Sequence, residues 1–93
     1  MAKLVRDRLI DIIRANGEEP KYHEASPAEY GQALPSKLEE ELAEYLANPC
    51  VEELADMEQV IQAIAKYRGW DLEAARQKKE QERGGFEKRY ILE

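Results

Sequence analysis

The stretch LANPCVEEL, Leu46 to Leu54, leaves room for little more than a tight turn between two segments of helical apolar spacing. Upstream, Leu34, Leu38, Leu42 and Tyr45 define one stripe. Downstream, Val51, Leu54, Met57, Val60, Ile61, Ile64 and Ala65 cover a wide arc. Such spacing is that of amphipathic helices, and short connections make antiparallel neighbours. The chain is therefore expected to fold around a helical hairpin.

Local punctuation marks out the remaining elements. Val5, Leu9, Ile12 and Ile13 predict a first helix over Leu4 to Asn16, stopped by Gly17;. Residues 17–25 have no clear period and read as a loop, in which His23 is an ordinary polar residue. Ser26-Pro27-Ala28-Glu29 has the form of a capping box, with proline at the first helical position;. Pro35 then either kinks that helix or splits it, leaving a longer piece from Ser36 to Ala47;. Asn48-Pro49 repeats the cap-plus-proline signal and predicts a helix from about Pro49 to Arg68, stopped by Gly69;. Asp71 caps a last helix through about Arg83, which Gly84-Gly85 ends;. The tail FEKRYILE is extended or disordered. No segment has a strong strand pattern. The expectation is one all-α domain over residues 1–93, a bundle of four or five helices;.

Two acidic pairs lie on the hairpin helices: Glu41 with Glu44, and Glu53 with Asp56, each spaced three residues apart. That spacing places both members on one face, about a turn apart. At about 100° per residue, Glu41 borders the apolar stripe and Glu44 lies further round. Glu53 projects inside the apolar arc, between Ile64 and Val60, and Asp56 lies at its margin. A carboxylate in an apolar setting is costly unless paired, protonated or bound to metal. Four oxygen ligands suit Mg²⁺, with Mn²⁺ an alternative. Glu-rich helices are most often solvated faces, and the second pair on a neighbouring helix is what shifts the balance. No Glu-x-x-His motif accompanies the acids, which argues against a di-iron centre;.

Bulk properties exclude several classes. A net charge of −6 argues against general DNA or RNA binding, which needs clustered Lys and Arg;. A nucleotide carried with a divalent ion is compatible, because the ion inverts the local charge. A single cysteine, Cys50, permits neither an internal disulfide nor a cysteine-based metal site;. No apolar run approaches the ~20 residues of a membrane span. MAKLVRDRLIDII is too interrupted by charge for a signal peptide, so a cytoplasmic location is the expectation;. A 93-residue domain with broad apolar faces is expected to find partner copies;.

EELAE (Glu40 to Glu44) followed by ELAD (Glu53 to Asp56) resembles the EExxE…ExxD signature of the all-α nucleoside triphosphate pyrophosphohydrolases. These are the MazG-like enzymes, with dimeric dUTPases and phosphoribosyl-ATP pyrophosphohydrolase as relatives. KLVRDRLIDII and the late KKEQERGGF also resemble the small stand-alone members, so the likeness runs from Lys3 to Phe86. The resemblance implies a bundle assembling as a homodimer or homotetramer. It implies Mg²⁺ held by Glu41, Glu44, Glu53 and Asp56, and hydrolysis of a nucleoside triphosphate to the monophosphate and pyrophosphate. Glu40, the first acid of the motif, would orient a water or a second metal. One departure is the short spacer of eight residues between Glu44 and Glu53, which leaves less wall around a base.

For this chemistry Glu40 or Glu41 is the candidate proton acceptor. Lys79 and Arg83, four apart on the last helix and followed by Gly84-Gly85, are candidates for substrate phosphate;. A solvated basic face with a glycine stop is their equal alternative. Lys3, Arg6 and Arg8 are weaker candidates. Tyr67 and Trp70 are available to stack on a base, although a Trp beside a helix start is more often a packing residue. Two alternatives stay open: a phosphoribosyl-ATP pyrophosphohydrolase, and a non-enzymatic oligomeric helical module with a metal-binding or regulatory role.

Overall fold

The computed structural model describes residues 2–93. It has four helices and no strand among those residues: α1 Leu9–Ala15, α2 Pro27–Ala47, α3 Val51–Arg68 and α4 Leu72–Arg83. The expected all-α class is observed, with the lower of the two expected helix numbers. None of the helices is long and apolar enough to cross a membrane.

The first helix begins at Leu9, not at Leu4 as the apolar spacing predicts. Residues 2–6 are irregular, and the Leu9 amide donates to the Arg6 carbonyl in the turn that opens the helix. Nothing caps a helix at Leu4, and Lys3 and Arg6 are drawn to carboxylates on other elements. Gly17 follows α1 at φ 87°, a conformation that favours glycine;.

Ser26 caps α2 as expected, its hydroxyl accepting from the Glu29 amide at 3.2 Å. The reciprocal half of the capping box is not made. Glu29 instead holds His23, whose Nε2 lies 2.9 Å from both carboxylate oxygens. Pro35 neither splits nor ends α2, which is one helix from Pro27 to Ala47. Proline removes one helical bond, but neighbouring Leu34 is 2% exposed, and burying it favours the continuous helix;.

The hairpin forms as expected. α2 and α3 are the one extensively packed helix pair among the described residues. Its start is a correction, because α3 opens at Val51 after Cys50, which makes no side-chain cap. At the far end Gly69 takes a left-handed conformation at φ 72°. Its amide donates to the Lys66 carbonyl and that of Trp70 to Ala65, a Schellman stop;. There Tyr67 donates to the Pro27 carbonyl at 2.9 Å and meets Tyr30 edge-on. Gly31 makes this approach possible, since a Cβ on it would lie 2.8 Å from Tyr67 Cζ.

Asp71 caps α4 through the Ala74 amide at 3.0 Å. The helix is polar all round and is laced by Arg76, which pairs with Glu73 and Glu80;. The molecule is consequently open: its radius of gyration is 16.9 Å, against about 12 Å for a compact chain of this length;. Its 8607 Å² of accessible surface exceeds the roughly 5,500 Å² expected for its mass by about 3,000 Å²;.

Candidate metal centre

The hairpin brings Glu41 and Glu44 of α2 against Glu53 and Asp56 of α3. Each offers a carboxylate oxygen, and the four atoms lie within 4.8 Å of one another. On Mg²⁺ at about 2.1 Å, two trans oxygens lie about 4.2 Å apart and two cis oxygens about 3 Å apart, so the carboxylates would draw together to share an ion. The i,i+3 spacing turns each pair to one face, and the tight turn sets those faces together.

Burial distinguishes this cluster from a solvated acidic face. Glu41 is only 5% exposed, deeper than its place at the edge of the stripe predicts. Its Oε1 forms an ion pair with Lys37 Nζ at 3.0 Å, while Oε2 is enclosed with no hydrogen-bond partner. The Oε2 of half-buried Glu53 is likewise enclosed and unpartnered. Buried carboxylate oxygens are rarely left unsatisfied, because each has given up its water. Burial pushes the Glu53 carboxyl above its ordinary value, and Glu44, Asp56 and Glu41 push in the same direction. The donor set is all oxygen and the two orphan oxygens belong to it, so the residues fit a hard divalent cation such as Mg²⁺ or Mn²⁺.

Cations ring the acids. Arg6 reaches Asp56 at 2.6 Å, Lys3 reaches Glu40 at 3.2 Å, and Lys37 reaches both Glu40 and Glu41. Glu40 therefore stands outside the group of four. Burial raises its carboxyl, but Lys3 and Lys37 outweigh that and hold it below its ordinary value. Lys37 shows the reverse balance: burial lowers its ammonium, and Glu41 and Glu40 carry it above its ordinary value.

Above the acids lies an open cleft of about 770 Å³. Its walls are the N-terminal strap, residues 3–8, and the facing sides of α2 and α3, with Glu40, Glu41, Glu44 and Asp56 among the lining residues. Lys79 and Arg83 are exposed on α4 and do not line it. Nor do Tyr67 and Trp70; Arg68 lies over both of their rings. Lys37 stands i,i+3 and i,i+4 from Glu40 and Glu41, a spacing that signals these pairs in the sequence itself;. No local pattern links Arg6 to an acid fifty residues on.

No family model matches the chain, and no solved structure matches it. An uncharacterized protein of Mycolicibacterium smegmatis is 51% identical over 47 residues, 50% of this chain and 48% of that protein. The chain thus spans about half the length of this curated relative.

Proposed function

We propose that this protein is a Mg²⁺-dependent nucleotide pyrophosphohydrolase of the MazG-like kind, converting a nucleoside triphosphate to the monophosphate and pyrophosphate. The carrying observation is the enclosed, unpartnered Glu41 Oε2 within a group of four converging carboxylates. The cleft above it has the volume of a small-molecule site, which run from about 300 to 1,000 Å³;. The EELAE and ELAD motifs supply the reaction class by resemblance.

Glu41, Glu44, Glu53 and Asp56 would hold the ion. A divalent cation bound there supplies charge against the phosphate oxygens and acidifies a water. The chain's own part is to orient the triphosphate and take a proton. Water adds to phosphorus, the bond to the oxygen bridging the α and β phosphates breaks, and pyrophosphate leaves. The water's proton passes to a carboxylate. Glu40 is a poor acceptor, since two lysines hold it ionised. The role falls to Glu41, whose Oε2 would leave the ion to Glu44, Glu53 and Asp56 as it takes the proton;.

The open shape favours an assembly of copies. Leu42 and Leu46 on α2, and Leu54 and Ile61 on α3, are exposed apolar residues. The surplus surface exceeds the 1,200–2,000 Å² buried in a standard interface. A homodimer or homotetramer would cover it.

The test is a panel of NTPs, dNTPs and phosphoribosyl-ATP, assayed for pyrophosphate with Mg²⁺ and with Mn²⁺. Release from a nucleotide in wild type, and none in Glu53→Gln with an unchanged circular-dichroism spectrum, is expected. No turnover of any substrate, or full activity in the variant, overturns the reading.

A further inference from the structure

Acids and cations share the lining of one cleft. Glu41, Glu44 and Asp56 of the four-carboxylate group are in its wall. Lys3, Arg6 and Arg8 of the strap line the same space, as does Lys37 of α2. Three of these cations rest on acids: Arg6 on Asp56, Lys3 on Glu40 and Lys37 on Glu41.

Asp56 is claimed twice. It belongs to the four-oxygen group, and its Oδ1 also accepts from the Arg6 guanidinium at 2.6 Å. The Arg6 side chain is 59% exposed and that of Asp56 34%, so water screens the pair and holds it weakly;. The Arg6 backbone carries one turn hydrogen bond, from the Leu9 amide to its carbonyl, and its long exposed side chain turns without breaking it. A planar guanidinium suits two phosphate oxygens as well as it suits a carboxylate.

We propose that Arg6 is a phosphate-binding residue, which neutralises Asp56 while the carboxylates lack a cation and turns to the polyphosphate of the substrate when they hold one. Lys3 and Lys37 line the same cleft and add to its positive charge. The ligand class is a metal-bound polyphosphate chain, and this assignment rests on the hydrolase reading. It moves the phosphate contacts from Lys79 and Arg83 of α4 to the strap.

Calorimetry on the full chain tests this without turnover, using Mn²⁺ alone and inorganic tripolyphosphate with Mg²⁺. In Arg6→Gln, Mn²⁺ is expected to bind as tightly as in wild type or a few-fold tighter, because a competitor for Asp56 is gone. Tripolyphosphate with Mg²⁺ is expected to bind about tenfold more weakly, with part of the loss recovered in Arg6→Lys. Unchanged tripolyphosphate affinity in Arg6→Gln overturns the proposal. So does a large loss of Mn²⁺ affinity, which would make Arg6 a prop for the cluster. A wild-type chain that binds tripolyphosphate through Arg6 yet hydrolyses no nucleotide would sink the hydrolase reading and leave this assignment standing.

Discussion

The Arg6 guanidinium lies 2.6 Å from the Asp56 carboxylate, closing a loop of fifty residues between an irregular strap and the middle of α3. Both groups are substantially solvated, so the pair contributes at most about 1 kcal/mol to folding;. Asp56→Asn is therefore expected to change unfolding free energy by less than about 1 kcal/mol. The same change removes one of the four proposed ligands and is expected to weaken Mn²⁺ binding at least tenfold. Denaturant unfolding and calorimetry on one preparation check both.

Glu53 and Glu40 carry opposite pH signatures. The Glu53 carboxyl is raised in the folded state. Its charge destabilises the fold fully above that raised value, and the penalty fades as pH falls toward the unfolded value. Glu53→Gln is expected to raise the melting temperature of the metal-free protein at pH 7 and to flatten this acid-side gain. Mn²⁺ is expected to stabilise wild type and not this variant. Melting curves across pH 4–7, with and without Mn²⁺, read all three effects.

For Glu40 the folded value is lowered. Its stabilisation is complete above the unfolded value and is lost as pH falls through the folded one. Glu40→Gln is expected to lower stability at pH 7 and to have little effect at strongly acid pH. A pH series of unfolding midpoints for wild type and variant shows whether the two converge on acidification.

Leu34 is the most deeply buried large side chain of the hairpin. Leu34→Ala is expected to cost about 2–4 kcal/mol, the range for truncating a buried leucine without full collapse of the cavity. Chemical denaturation gives the value, and a loss below 1 kcal/mol would mean that the hairpin repacks freely.

Gly31 and Tyr67 lock the open end of the hairpin. A methyl group on Gly31 would press on the Tyr67 ring. Gly31→Ala is expected to cost about 1–3 kcal/mol by overpacking. Tyr67→Phe forfeits the bond to the Pro27 carbonyl, at about 0.5–1.5 kcal/mol;. In a double-mutant cycle Gly31→Ala should cost less on a Tyr67→Ala background, where the ring is absent.

Leu46 is 69% exposed beside Leu42 on the outer side of α2. On the proposed assembly of copies, Leu46→Glu is expected to leave helix content unchanged and to shift the particle toward the monomer mass. Light scattering coupled to size exclusion checks this, and an unaltered oligomer would remove Leu46 from the contact between copies.

Most of what the chain encodes locally was readable from it. The Ser26 and Asp71 caps, the Gly69 and Gly84 stops and the turn after Ala47 all use groups within about five residues of one another;. The convergence of Glu41, Glu44, Glu53 and Asp56 was readable too, since helical period and a tight turn determine it. The tertiary structure decided what depends on distant groups. It placed residues 2–6 outside α1, where Lys3 and Arg6 meet acids of α2 and α3. It carried α2 through Pro35 on the strength of Leu34 packing. It left Lys79 and Arg83 out of the lining of the cleft and set Arg6 and Lys37 against its acids. A periodic pattern records which way a side chain faces on its own helix. Which charge from elsewhere in the chain meets it there follows from packing, and no spacing in the sequence records that.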